Sequence, residues 1–321
     1  MRVIGGLLLG ILVFIGAAGA QYPSHPVKMI IPFAPGGASD FVGRIAQPRL
    51  GELLGQPVVI ENRAGAAGNI GMEAAAKSPP DGYTVYLGNI GTVAINPAVF
   101  PKLAVVPTRD FAAVTQVVDV PSVLVASPSM KFSTVREFVA FARANPGKLN
   151  YGTPGSGSQN RLETELLRKA EGLDMVHVPY KGGAGPAVAG LAGGETEVMF
   201  TTAPSAMGLI LGGRLKVLAV TSPKRLAQLP GAPTMTELGY ADFVSSSWQG
   251  IFLPAGTPKE IVERLFAALQ AAMKTPEVGE RLAKGGVEVA TSASPQAFAE
   301  FVAAETQRWG KVAKESGATV D

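Results

Sequence analysis

Two glycine-rich loops carry the residues best suited to chemistry. Ala34-Pro35-Gly36-Gly37-Ala38-Ser39-Asp40 runs from an apolar, β-rich stretch into a helix-patterned one. Thr153-Pro154-Gly155-Ser156-Gly157-Ser158 repeats that design later in the chain. At a helix start the first backbone N–H groups have no intrahelical partner, and the macrodipole is positive there. Glycine lets the backbone approach a ligand with no Cβ between them. Such a loop is an anion site made of neutral dipoles. Either loop alone also reads as an ordinary turn whose Ser and Asp only cap a helix. Two of them, each at the carboxyl end of a strand, match the place where open α/β sheets bind ligands.

Other chemistries find little material. The chain has no cysteine, which excludes disulfides, iron–sulfur ligation and thiol catalysis. Its two histidines, His25 and His177, lie far apart, so no metal site is expected. Ser156 lacks the Gly-x-Ser-x-Gly elbow because Pro154 takes the first glycine position. His177 lies in the apolar run Met175–Val178, more the place of a strand residue than of a base for Ser156. Glu195 and Glu197 read as a solvated strand edge, and Trp248 as either a cleft wall or core packing. Gly65, Gly68 and Gly71 have the wrong spacing for a dinucleotide fingerprint, and no Gly-Lys-Ser/Thr follows any glycine loop. A net charge of +3 with no Lys/Arg run longer than two argues against nucleic acid.

These loops need a scaffold, and the 321 residues alternate strand and helix patterns. Strands are predicted at Val27–Phe33, Pro57–Glu61, Thr84–Leu87 and Val114–Val118, with helices at Ser39–Leu54 and Asn69–Lys77. Pro48 should kink the first helix. A second unit follows with strands at Val120–Ala126, Leu149–Thr153, Met175–Val178, Glu197–Phe200 and Leu215–Thr221. Its helices are predicted from a capping box at Thr134–Glu137 to Ala144, and over Ser158–Ala170 and Ala184–Ala192. Strand Ser246–Leu253 then precedes a capping box, Thr257-Pro258-Lys259-Glu260, and helices Pro258–Lys274 and Pro295–Glu315 close the chain. Hydrophobic residues at 47% supply a sizeable core. The rhythm implies an α/β protein of two lobes, each a mainly parallel sheet flanked by helices, with a cleft between them. No long linker separates the halves, so the chain should cross on strands near Val118–Val123 and Ser246–Leu253. The expected division is 21–121 plus 246–321 for lobe 1 and 122–245 for lobe 2.

Residues 1–20 read as a signal peptide. Arg2 precedes a 12-residue apolar core over 4–15, and Ala18-Gly19-Ala20 gives the small-x-small cleavage pattern. Cleavage after Ala20 and export to the periplasm are expected.

At this level of detail the chain resembles the Bug family, the periplasmic receptors of tripartite tricarboxylate transporters. The likeness runs through YPSHPVKMIIPFAPGGASD (22–40), LGQPVVIENRAGAAGNIG (54–71), PPDGYTVYLGN (79–89), INPAVFPKL (95–103), PGKLNYGTPGSGSQN (146–160), MVHVPYKGG (175–183), APSAM (203–207), LKVLAVTSPKR (215–225) and PAGTPKEIVERL (254–265). It implies the type II solute-binding arrangement and capture of di- or tricarboxylates, acidic amino acids, aromatic acids or nicotinate. It further implies no enzymatic activity, no cofactor, a monomer, and delivery to membrane permease subunits or a sensor. The resemblance sets Ala34, Pro35, Gly36 and Gly37 against a ligand carboxylate, with Asn89, Gly91 and Thr92 from the same lobe. Thr153, Ser156, Gly157, Ser158 and Asn160 face them, Thr201, Thr202 and Ser205 close the pocket side, and Trp248 is a candidate wall. Relatives often carry a second proline where Ala34 stands and Asp where Thr201 stands. With no carboxylate to meet an ammonium, non-amino acids should bind better than aspartate or glutamate. The competing expectation is a periplasmic hydrolase or lyase using Ser156 or Ser158. A cytoplasmic regulator would need a helix-turn-helix segment in place of the leader.

Overall fold

A computed structural model describes residues 22–316 except 242 and 244; the expected leader and its cleavage site lie outside the described residues. The strands are β1 Val27–Ile31, β2 Val58–Asn62, β3 Thr84–Asn89, β4 Phe111–Ala126, β5 Leu149–Thr153, β6 Met175–Pro179, β7 Val198–Thr202, β8 Lys216–Val220, β9 Ser246–Pro254 and β10 Glu288–Val289. The helices are α1 Ala38–Leu54, α2 Asn69–Ala76, α3 Asn96–Val99, α4 Pro107–Asp110, α5 Val135–Ala144, α6 Gln159–Glu171, α7 Ala184–Gly193, α8 Ala203–Leu211, α9 Lys259–Met273, α10 Pro276–Lys284 and α11 Pro295–Ser316. A π turn over Gly91–Ile95 links β3 to α3.

The sheet runs β2-β1-β3-β9-β4-β7-β5-β6, with β8 and β10 also pairing β4. Each lobe holds a parallel triad, β2-β1-β3 in one and β6-β5-β7 in the other. Antiparallel β9 and β4 join the triads. Phe111–Pro121 of β4 pairs with β9, and Ser122–Ala126 pairs with β7 and β8, so one strand serves both lobes.

The sequence pattern divides that strand at Asp119, into Val114–Val118 and Val120–Ala126. Instead Asp119 accepts a hydrogen bond from the Ser246 hydroxyl at 3.0 Å. The missing N–H of Pro121 falls at the last register position with β9, where the strand changes partner. Crossing segments therefore lie side by side: the Ser122 N–H donates to Thr221 Oγ1 at 2.9 Å, and Thr221 Oγ1 donates to the Ser245 carbonyl at 2.8 Å.

Alternation along the strands sorts side chains to two faces. In β1, Val27, Met29 and Ile31 pack under α1 and α9, while Ile30 packs under α2 and α11. Val42, Ala46, Leu50 and Leu54 recur every fourth residue on the inner face of α1. Each fully buried large aliphatic contributes about 1.5–3 kcal/mol. α1 continues through Pro48 over all 17 residues. The Thr134–Glu137 capping box is present with both of its bonds. The one expected at Thr257 is not: the Thr257 hydroxyl turns back to the Pro254 carbonyl at 2.7 Å, and α9 starts after Pro258. Helices α8 and α10 were not anticipated, although Thr275-Pro276-Glu277 carries a usable start signal for the latter.

Candidate functional site

The cleft is built from helix starts. Gly37 is the N-cap of α1, and Gly37, Ala38 and Ser39 line the cleft. The loop before them is held by Asp40, whose Oδ2 accepts the Gly36 N–H at 3.1 Å. Asp40 Oδ1 accepts Arg44 Nε at 2.9 Å and Asn62 Nδ2 at 3.1 Å. Burial pushes this carboxyl up, but the bonds from Arg44, Gly36 and Asn62 outweigh it and hold it below the usual carboxylate range. Gly36 sits at φ 90°, a backbone conformation that glycine adopts without strain.

Opposite, Ser158 caps α6 by accepting the Arg161 N–H at 3.2 Å, and Gln159 and Asn160 present the first helical turn. Gln159 Nε2 and Asn160 Nδ2 each donate to a different oxygen of Glu163, both at 2.9 Å. Glu163 also accepts from Ser245 Oγ at 2.5 Å, and Asn160 donates to Ser122 Oγ at 2.9 Å, so the first turn of α6 is tied to both crossing segments. Burial pushes the Glu163 carboxyl up despite these donors.

Two further helix starts reach the same space, Ala184 at the head of α7 and Thr202 at the N-cap of α8. Asn89, Ile90 and Gly91 complete the rim, with Asn89 Oδ1 accepting the Thr92 N–H at 3.0 Å. Ser247 and Gln249 come from β9. The cleft holds about 570 Å³ of empty space, counted to its open mouth, and none of its lining side chains is charged.

Of the expected residues, Gly37, Asn89, Gly91, Gly157, Ser158, Asn160 and Thr202 line this cleft. The others stand behind it. Ala34, Pro35 and Gly36 lie where the lobes touch: the Ala34 N–H donates to the Gly182 carbonyl at 3.0 Å, and Gly36 packs on Gly185. Thr92 is buried under the rim and accepts from the Tyr86 hydroxyl at 2.8 Å. Thr153 pairs with His177 Nε2 at 2.7 Å. The Ser156 carbonyl accepts from Arg161, and Ser205 bonds Thr202 at 2.8 Å. Thr201 is fully buried in β7, because strand alternation turns it away when Thr202 faces the cleft.

Trp248 is a correction for the same reason. Ser247 and Gln249 face the cleft, so Trp248 points into the core against Phe298, and its indole N–H donates to Glu305 at 3.0 Å. Phe33, Gln159, Ser247 and Gln249 were missed. Gln159 adjoins the Ser158 cap, and β9 alternation would have given Ser247 and Gln249 once Trp248 was assigned to the core. The hydroxyl of Ser158 is engaged as a helix cap, and His177 meets Thr153, so the hydrolase expectation gains no support.

Residues 42–318 match the family described as the tripartite tricarboxylate transporter family receptor. The chain belongs to that family. BugT of Bordetella pertussis (strain Tohama I) is 38% identical to this receptor, over 97% of this chain and 98% of BugT. The solved structure of R. palustris Rpa4515 with adipate is 35% identical, with a TM-score of 0.89, and the match covers 94% of this chain and all of that one. MatC from Rhodopseudomonas palustris, solved with bound malate, is 32% identical with a TM-score of 0.85, covering 91% of this receptor and 99% of MatC.

Proposed function

We propose that this receptor captures a small carboxylic acid between its lobes and presents it to the permease subunits of a tripartite tricarboxylate transporter or to a sensor. The observation that carries the reading is the convergence of four helix starts, those of α1, α6, α7 and α8, on a cleft with no charged side chain. Backbone N–H groups at such starts favour an anion without a counter-charge. The relatives solved with adipate and malate support the same ligand class. Contacts come from Gly37, Ala38 and Ser39 on one side and from Ser158, Gln159 and Asn160 on the other.

The lobes are 21–121 with 246–321, and 122–245; the change of partner along β4 at Ser122 supports that division. The receptor works as a monomer, is cleaved after Ala20 and acts in the periplasm, where receptors of this family reside. Among the described residues no helix is long and apolar enough to cross a membrane. Isothermal calorimetry with a panel of di- and tricarboxylates, aromatic acids and acidic amino acids tests the reading. Micromolar binding of a non-amino acid, with aspartate and glutamate weaker, is expected. Binding confined to aspartate or glutamate overturns it.

A further inference from the structure

We infer that the preferred ligand is a hydroxylated carboxylic acid, whose hydroxyl hydrogen is taken by the side-chain oxygen of Gln159 or of Gln249. The inference rests on the carboxylate reading and adds a second functional group to the ligand.

Both glutamines line the cleft, yet they are only 3% and 1% exposed, and no donor among the described residues reaches either Oε1. A buried acceptor without a donor is costly, so such a pair marks where a ligand donor belongs. The orientation of Gln159 is fixed from behind. Its Nε2 donates to Glu163 Oε1, which also accepts the Ser245 hydroxyl, while Glu163 Oε2 accepts from Asn160. With its nitrogen committed there, the oxygen of Gln159 is the atom left for the ligand. The backbone of Gln249 is placed by its strand. It sits opposite Asn89 across the β3–β9 ladder and two residues from Ser247, and all three line the cleft.

The chemistry of the missing donor follows by elimination. A carboxylate oxygen is itself an acceptor and is repelled by Oε1, so the glutamine oxygens mark positions a carboxylate avoids. An ammonium carries donors, but no lining side chain is charged, and an ion buried without a partner is disfavoured. A hydroxyl is neutral, donates one hydrogen to Oε1 and can accept from Ser247 or Ser158 beside it. The ligand then has carboxylate oxygens at the helix starts and a hydroxyl toward the glutamines.

Calorimetry on matched pairs tests this: succinate against malate and tartrate, glutarate against 2-hydroxyglutarate, benzoate against 4-hydroxybenzoate. In at least one pair the hydroxylated acid should bind about tenfold to a hundredfold more tightly, the range set by one buried hydrogen bond. In Gln249→Met or in Gln159→Met the ratio within that pair should fall at least threefold, with thermal denaturation showing that each variant is folded. Equal binding within every pair, or tighter binding of the acid lacking the hydroxyl, overturns the inference while leaving the carboxylate reading intact. Loss of the ratio in neither variant also overturns it. Failure of every acid to bind defeats both readings, a different result from equal binding. The wild-type ratios decide the matter even if a variant does not fold.

Discussion

Replacing Gly157 by alanine should hold the cleft open. Gly157 lies in the loop before α6, and its φ is outside the left-handed region, so alanine meets no backbone strain there. The obstacle is across the cleft: an added Cβ would overlap Asn96 Oδ1 and stand 3.1 Å from the Phe100 ring. Asn96 cannot simply swing aside, because its Nδ2 donates to the Ala67 carbonyl at 3.0 Å and to Asn69 Oδ1 at 2.5 Å. Relief requires either breaking those bonds or parting the lobes. Overpacking a close contact costs about 1–3 kcal/mol. Losing an interlobe bond such as Ala34 N–H to the Gly182 carbonyl adds about 0.5–1.5 kcal/mol. The closed state then loses roughly 2–4 kcal/mol; with the lobes held apart the acid binds without the contribution of closure, and at about 1.4 kcal/mol per decade a contribution of that size weakens binding by up to roughly 30- to 1000-fold.

Small-angle scattering distinguishes closure from lost ligand contact. Wild-type receptor with saturating acid should contract relative to the free protein, whereas Gly157→Ala at saturation should keep the radius of gyration of the free form. A variant that has only lost a contact binds weakly but still contracts when saturated. Gly185→Ala is an independent check on the other side of the cleft, where the added Cβ would stand 2.6 Å from the Pro35 carbonyl oxygen. If both saturated variants contract to the wild-type radius, the glycines are not what lets the lobes meet.

Three further outcomes are expected. Thr201→Val should leave acid affinity within about twofold by calorimetry and raise stability by up to about 1 kcal/mol in urea denaturation, because it removes a buried hydroxyl that has no hydrogen-bond partner among the described residues. Trp248→Phe should also spare affinity but lower stability by about 1–3 kcal/mol, through the lost donor to Glu305 and the gap beside Phe298. Asp40→Ala should destabilise by about 1–3 kcal/mol at pH 7, because Gly36 N–H loses its acceptor. The folded state holds Asp40 below its ordinary value, so its contribution is present above about pH 4 and fades as pH falls through the lower folded value. The deficit of the variant in denaturation midpoints should shrink accordingly in acid.

Much of the fold was legible because its signals are local. Apolar runs, the capping box at Thr134–Glu137 and the glycine loops each specify structure within a few residues. What escaped depends on long-range pairing. The continuity of β4 through Asp119 and Pro121 is decided by Ser246, 127 residues from Asp119. The sites at Thr201 and Trp248 depended on which face of a strand meets the cleft, and a register error of one residue reverses that. Of the two expected neighbours in β7, Thr202 faces the cleft and Thr201 does not, and in β9 Gln249 faces it in place of the expected Trp248.

That reversal changes where the expected selectivity against amino acids would arise. The sequence pattern points to Thr201 as its source, yet Thr201 is fully buried and does not line the cleft. That selectivity is expected instead from the whole lining, in which no side chain is charged. Backbone dipoles at helix starts cannot be neutralised by rotating a side chain away, as an arginine can. They attract a carboxylate on either side of the cleft without adding a charge that must be desolvated when the lobes meet. The same donors can therefore serve acids of different length. Discrimination among those acids falls to the acceptors that helix starts do not provide, the oxygens of Gln159 and Gln249, and to the close approach of the lobes at Gly157 and Gly185.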